Sequence, residues 1–398
     1  MFERLERMPD DPILGLMAAF RADADDRKVD LGVGVYRNDK GDTPVLEAVR
    51  KAEAAVLARQ TSKTYVAPAG NAGFNQAMEK LVFGEDHPTL KAGRIRTIQA
   101  PGGCGALRVG AELIRLAWPD ALIHVSTPTW ANHVPLLTGS GLKLERYPYY
   151  DAATGGVNFG AMMEAVEKLP KGAILLLHAS CHNPTGADLS ESQWRDVLAA
   201  VQRRGLIPYI DMAYQGLGTG LAEDAYGPRL FAAELPEVLV AVSCSKNFGL
   251  YRERTGALHV ISQTPTSADA ILTHLVQIAR KIYSMPPDHG AAIVHEILTN
   301  DALRASWTAE LGGMRTRIDT LRKEAVANLA RTCPQHDFSF IARQHGMFSF
   351  LGVNKDQVRE LREKHHIYMT DDSRINIAGL KQDNIAYFAE AVAQVVSK

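Results

Sequence analysis

The chain lacks most of what would mark a secreted, metal-binding or membrane protein. Its four cysteines, Cys104, Cys181, Cys244 and Cys333, are scattered with no CxxC pair. That usage fits reduced thiols in the cytoplasm better than a disulfide frame or a zinc site, so no metal is expected. No HExxH and no GxSxG occurs, which removes the commonest zinc-protease and serine-hydrolase signatures. Apolar runs such as AILLL are far too short to span a bilayer, and the start, MFERLERMPDD, carries acids where a signal peptide needs a basic and then an apolar stretch. Charge of one sign is missing too: 44 basic residues against 45 acidic ones leave a net charge of -1, giving no field for nucleic acid or an anionic membrane. There is no block of like charges and no low-complexity tract, hence no signal for disorder beyond the ends.

What is present is 398 residues, 46% of them hydrophobic, enough for one large core and a second smaller one. RTIQAPGG, ALIHVSTP, AILLLHAS, LIPYIDMA, VLVAVSCS and ALHVIS read as strands. Amphipathic segments separate several of them; in LSESQWRDVLAAVQRRG a serine cap opens a helix and Gly205 closes it. This alternation predicts a mostly parallel sheet covered on both faces, with ligands beyond the carboxyl ends of the strands. From Asp301 the pattern changes. Leu303, Trp307, Leu311, Met314, Ile318, Leu321, Ala325 and Leu329 form one apolar stripe at helical spacing, a long helix that bridges two units. HDFSFIA, MFSFLGV and RINIAGL then read as strands and DNIAYFAEAVAQVV as a last helix, together a smaller α+β unit that the helix around PILGLMAAF joins.

Four fragments carry chemistry. In SCSKNFGLYRERTG, Lys246 stands just past an apolar run, with Ser243 three residues before it and Arg254 eight after. A partly desolvated lysine loses basicity and can form a Schiff base with an aldehyde. Arginine, a hydroxyl and nearby N–H groups suit a phosphate dianion. An aldehyde and a phosphate within reach of one lysine describe pyridoxal phosphate (PLP), although SK plus R alone reads more readily as a basic surface loop. In IDMAYQG, Asp211 ends a strand, where a buried carboxylate would keep a pyridine nitrogen protonated. Tyr214 could donate to the ring's 3-oxygen; alone, the pair is an ordinary turn. In LLLHASCHNPTG, Asn183 could donate to the same oxygen, and NPTG is otherwise only a turn. The Cys181-His182 pair lacks the signatures of a cysteine protease. In APGGCGALRVG, a glycine-rich turn between strand and helix can cup a phosphate. The rival there is an NAD site, but the spacing is not GxGxxG, and the next strand ends without the acid that would hold a ribose.

Together, NPTG, DMAYQG, SCSKNFGLYRERTG and RINIAG, in that order, resemble the class I aminotransferases of PLP fold type I, and most closely the bacterial aromatic-amino-acid and aspartate aminotransferases. The resemblance runs from about residue 10 to the C-terminus. It implies an α/β fold: a large PLP-binding domain over 45–313 with a mostly parallel sheet, and a smaller α+β domain from 1–44 and 314–398. It implies that Lys246 holds PLP and shuttles the proton, and that Asp211 pairs with the ring nitrogen, supported by His133 and His178. Asn183 and Tyr214 would bind the 3-oxygen. Arg254, Ser243, Gly103 and Cys104 would hold the phosphate, and Trp130 would stack on the ring. Toward substrate, Arg374 would grip the α-carboxylate and Arg280 the distal carboxylate of a dicarboxylic substrate across a dimer interface. The backbone at Gly34 would approach the substrate, with Trp130 and Asn183 bordering it. Tyr65 would touch the phosphate from the neighbouring subunit. The implied partners are amino acids, 2-keto acids and a second copy of the chain in a homodimer with shared sites, with no nucleic acid and no membrane.

The implied activity is ping-pong transamination of aromatic amino acids, aspartate or both, with 2-oxoglutarate and glutamate as the other pair. An aspartate-selective enzyme, and a PLP-dependent lyase or decarboxylase on the same fold, are the alternatives. A PLP-sensing transcription factor would need a DNA-binding segment, and none is left over. Two positions depart from the family pattern. Cys104 stands where relatives carry threonine or serine, and a thiol is the poorer donor. Met285 stands near Arg280 where aspartate-selective relatives carry an amide, leaving flexible apolar room for a large side chain.

Overall fold

The six apolar runs become six of the seven strands of one sheet in the computed structural model, which describes residues 2–8 and 12–397. In chain order the strands are β1 (Ile95–Pro101), β2 (Leu122–Thr127), β3 (Lys143–Pro148), β4 (Ile174–His178), β5 (Ile207–Met212), β6 (Val238–Ser243) and β7 (Thr255–Ile261). Their spatial order is β1-β7-β6-β5-β4-β2-β3. Every pairing is parallel except those of β7, which runs against both β1 and β6. All residues of β6 and β7 are buried, as continuous apolar runs require in a sheet covered on both faces. The strand not read from the sequence is β3. It lies at the edge and buries only Tyr147 fully, so KLERYP shows almost no apolar pattern.

Helices cover the sheet: α1 (Gly102–Ala117) follows β1, α2 (Glu191–Arg204) joins β4 to β5, and α3 (Pro265–Ile282) follows β7. At the start of α2, Ser190 accepts from the Gln193 N–H at 3.2 Å while the Gln193 side chain accepts from the Ser190 N–H at 2.9 Å. Gly205, at φ 62°, ends it.

The apolar stripe from residue 303 forms α4 (Asp301–Thr332), a 32-residue helix whose Trp307, Leu311, Met314, Ile318, Leu321, Ala325 and Leu329 are buried. Trp307 stacks on Phe248 at 4.4 Å, and its Nε1 donates to Asn247 O at 2.8 Å. The helix thereby fixes the backbone next to Lys246. On the same helix lies a buried charge, Arg322. Its guanidinium donates to Ile341 O at 2.8 Å, Gly346 O at 2.7 Å and Phe348 O at 2.6 Å, and to Ser349 Oγ at 2.7 Å.

Beyond α4 the expected strands are partly corrected. MFSFLGV and RINIAGL contribute Phe348–Phe350 and Arg374–Asn376, which pair antiparallel. HDFSFIA contains no strand: Phe340–Arg343 is a short helix. The Asp337 carboxylate accepts the Ser339 N–H at 2.8 Å, and that local turn overrides the alternating apolar pattern of the segment. Val29–Asp30 pairs in parallel with Ile367–Tyr368, so an early segment and a late one share a small sheet. Helix Pro12–Ala22 packs there through Phe20, whose ring meets Tyr368 edge-on at 5.5 Å. Among the described residues no helix is long and apolar enough to cross a membrane, and no cluster of His, Cys, Asp or Glu has the makings of a metal site.

Candidate active site

A cavity of about 230 Å³ opens at the carboxyl edge of the sheet. Strands β1, β2, β4, β5 and β6 end there and β7, being reversed, begins there. This reversal brings Arg254, which precedes β7, to the same edge as Ser243, which ends β6. The walls include Lys246, Asp211, Asn183, Tyr214, Trp130 and His178, and at the other end Gly103, Cys104, Ser243 and Arg254. Gly34 completes the border, so residues hundreds of positions apart in the chain meet at one cavity.

Lys246 is half-buried, with its ammonium 4.9 Å from the centre of the Tyr214 ring. Burial lowers its pKa, the Asp211 carboxylate opposes that shift, and Arg254 adds to the lowering. Asp211 is buried, and burial alone would raise its carboxyl. The hydrogen bond with His133, Oδ2 to Nε2 at 3.0 Å, outweighs that together with the fields of His133, His178 and Lys246, leaving it below the ordinary carboxylate range. His133 stands behind Asp211 and does not itself border the cavity. Its Nδ1 meets Thr129 Oγ1 at 2.8 Å, and the same hydroxyl lies 3.2 Å from His178 Nε2. Burial, reinforced by His133, pushes His178 down to about 3, so it is neutral at working pH. The result is an ionised acid held by a hydrogen-bonded support, suited to a cationic ring nitrogen.

On the other side, Asn183 Nδ2 donates to Tyr214 Oη at 3.4 Å, which sets the amide and the phenol side by side on the cavity wall. Trp130 borders the cavity and meets His133 edge-on at 5.2 Å. At the far end, Gly102 and Gly103 open α1, whose first N–H groups and dipole favour an anion. The glycines are needed for closeness. A Cβ on Gly102, which sits at φ +71°, would lie 2.5 Å from Arg254 Nη2; one on Gly103 would lie 3.1 Å from Ser243 Cβ. Arg254 Nη1 also donates to Tyr251 O at 3.0 Å, which steadies the guanidinium. Cys104 Sγ receives only a 3.7 Å contact from Asn132 Nδ2.

Arg374 reaches the site from the opposite side. Its Nη1 lies 3.4 Å from Asn183 Oδ1, Nη2 donates to Gly32 O at 2.9 Å, and Nε is buried with no hydrogen-bond partner among the described residues. Its guanidinium lies over the Phe348 ring at 4.5 Å. A Cβ on Gly34 would lie 2.8 Å from Phe348 Cζ, so a side chain there would crowd that ring where this segment passes the site. Tyr65 and Arg280 are not brought to the cavity of their own chain. Tyr65 is 87% exposed, and Arg280 is exposed with Nη1 on Ser284 Oγ at 2.8 Å. Met285 is half-buried beside that turn.

Sequence reasoning missed several wall residues, including Ser180, Ala213, Ser245 and Tyr251. It also missed Thr129, the hydroxyl shared by His133 and His178. Thr129 stands four residues before His133, and that spacing was the available signal. Phe348 had none, because only the tertiary fold brings it beneath Arg374.

The family model for aminotransferases of class I and II matches residues 26–392. An aromatic-amino-acid aminotransferase of Pseudomonas aeruginosa is 45% identical over 394 residues, covering 99% of this chain and 98% of that one. An aspartate aminotransferase of the same organism is 42% identical over 396 residues, covering both chains completely. Among solved structures, the aromatic-amino-acid aminotransferase of Burkholderia pseudomallei covalently bound to pyridoxal phosphate superposes with a TM-score of 0.97 at 45% identity, covering 99% of each chain. With family model, relatives and fold in agreement over nearly every residue, the chain belongs to the class I and II aminotransferases.

Proposed function

We propose that the protein is a pyridoxal-phosphate-dependent aminotransferase acting on aromatic amino acids and aspartate, with 2-oxoglutarate and glutamate as the second pair, by a ping-pong mechanism. One observation carries this reading: a lysine of depressed basicity, a buried ionised acid and an arginine beside a glycine-opened helix line one cavity. The residues fit the coenzyme. The cradle at Gly102 and Gly103, which a Cβ would fill, suits a phosphate, and the Asp211–His133 pair suits a protonated ring nitrogen.

When bound, pyridoxal phosphate supplies an aldehyde for the amino group and a ring that accepts the electron pair left by the broken Cα–H bond. Arg254, Ser243, Gly103 and Cys104 would anchor its phosphate, Asn183 and Tyr214 its 3-oxygen, and Trp130 its ring face. Arg374, with an unspent Nε donor, orients the substrate α-carboxylate while Asn183 and the Gly34 backbone border it. The Lys246 amine, its basicity lowered by desolvation, takes the Cα proton and returns it at the far side of the transfer. In the second half-reaction the same amine moves the proton in the opposite sense.

The substrate pair rests on two supports. Relatives named for aromatic amino acids and for aspartate are nearly equally similar, and both Arg374 and Arg280 are present. The working unit we propose is a homodimer with shared sites, since Tyr65 and Arg280 point away from the cavity of their own chain. Residues 45–313 form the larger unit and residues 1–44 with 314–398 the smaller, a division favoured by the pairing of Val29–Asp30 with Ile367–Tyr368. Four unpaired cysteines suit a cytoplasmic location.

The test is to add pyridoxal phosphate to apoenzyme, then phenylalanine or aspartate, then 2-oxoglutarate. The expected result is a visible absorption band that amino acid bleaches and keto acid restores, absent in Lys246→Ala. Release of ammonia or carbon dioxide in place of a keto acid would favour the lyase reading and refute this one.

A further inference from the structure

Gln99 lies on β1, wholly buried, three residues before the glycines of the phosphate cradle. A buried carboxamide is costly unless each end is bonded, and an apolar side chain would fill the same space at no such cost. Both ends of Gln99 are bonded, and to two loops. Its Oε1 accepts the Asn71 N–H at 2.8 Å, and its Nε2 donates to Pro287 O at 2.8 Å. Its own N–H donates to Ala69 O at 3.0 Å. The first loop lies directly against the side chain: a Cβ on Gly70 would come within 2.3 Å of Gln99 Cβ. A second link, Asn71 Nδ2 to Asp288 Oδ1 at 3.1 Å, ties the loops to each other.

These loops adjoin the two residues that leave their own cavity. Tyr65 precedes Asn71 on the first loop, and Arg280 lies in the last turn of α3, which runs into the second. We propose that Gln99 is a positioning residue acting across the subunit boundary: one buried carboxamide sets where Tyr65 and Arg280 stand relative to each other, and hence how both enter the partner's site. The inference rests on the shared-site dimer proposed above. A phosphate contact and a distal-carboxylate contact are thus placed from one point, and small displacements of such groups are costly to binding.

The experiment uses mixed dimers of differently tagged chains, one carrying Lys246→Ala, so that only the site of the other chain's Lys246 works. In the first hybrid, Gln99→Met rides on the Lys246→Ala chain, and the working site receives its Tyr65 and Arg280 from the altered chain. There we expect the aspartate KM to rise about tenfold and pyridoxal phosphate to bind several-fold more weakly, with kcat for phenylalanine within about twofold of parental. In the second hybrid, Gln99→Met rides on the chain with Lys246, and parental values are expected. A defect equal in both hybrids, or confined to the second, means that Gln99 acts within its own subunit through β1 and overturns the inference. Gln99→Glu keeps the acceptor for Asn71 and loses the donor to Pro287. In the first arrangement it should raise the aspartate KM while leaving coenzyme affinity parental; loss of both together also overturns the inference. A hybrid with Gln99 intact in both chains that neither binds coenzyme nor forms keto acid defeats the aminotransferase reading itself, and this inference with it.

Discussion

Replacing Cys104 by serine should tighten coenzyme binding. Cys104 is the third residue of α1 and borders the end of the cavity where Arg254 and Ser243 gather. Its thiol is a weak donor, and its one hydrogen-bond contact is the long 3.7 Å approach of Asn132 Nδ2. A hydroxyl in its place would donate to a phosphate dianion, and a hydrogen bond to a charged group is worth about 1.5–3 kcal/mol. Part of that is offset by the shorter C–O bond, the desolvation of the hydroxyl and the share the thiol already supplies. A net gain of about 1.4 kcal/mol remains, which is tenfold in affinity. The assay is titration of dialysed apoenzyme with pyridoxal phosphate, read from the absorbance of the bound coenzyme. Cys104→Ser should lower Kd about tenfold, and Cys104→Ala should stay within about twofold of the parent, because little donation is lost. A serine variant with unchanged or weaker affinity and an unchanged melting temperature would refute the reasoning. So would an alanine variant about tenfold weaker, since the thiol would then already be a full donor.

Substrate selection separates the two arginines: Arg280→Ala should cut kcat/KM for aspartate about a hundredfold and that for phenylalanine less than tenfold, whereas Arg374→Ala should cut both about a hundredfold. Equal losses for Arg280→Ala in the same steady-state assay would remove its assignment to the distal carboxylate. Arg322→Met leaves the carbonyls of Ile341, Gly346 and Phe348 short of donors inside the protein, at a cost of about 3 kcal/mol or more in urea unfolding of the apoenzyme. A loss below about 1 kcal/mol would mean that these carbonyls find other partners. Burial pushes His178 and His259 down to about 3 and His182 well below the ordinary 6.5. The unfolded chain therefore takes up three protons near pH 6.5 that the folded chain refuses until far lower. Stability is complete above that pH and should fall by about 4 kcal/mol per pH unit just below it from these residues alone, with His178→Gln removing about a third of the slope. Denaturation midpoints that stay level between pH 6 and pH 5 would contradict the buried, neutral state of these rings.

The parts of the site written locally were legible because strand ends put chemistry where apolar runs stop. Lys246, Asp211 and Asn183 each follow such a run closely, and the parallel sheet gathers those ends at one edge. Arg254 needed one more fact, the reversal of β7, which ALHVIS does not encode in its own residues. What stayed hidden depends on pairings between distant backbones. KLERYP gave no strand signal because an edge strand has no need of an apolar face, and HDFSFIA gave a false one because a single Asp337 turn outweighs its alternation. Phe348 beneath Arg374, and the exposed positions of Tyr65 and Arg280, follow from the fold and from no local pattern. One class of hidden residue still leaves a mark, namely a polar side chain inside an apolar stripe or strand. Arg322 interrupts the stripe of α4, one residue after Leu321, and Gln99 interrupts IRTIQAP; both are buried with their donors spent on the carbonyls of other segments. Because burying such groups is costly, their presence in a core marks a contact that the fold needs. In this chain those contacts run to Phe348, the ring beneath Arg374, in the case of Arg322, and to the loops at Asn71 and Pro287 in the case of Gln99.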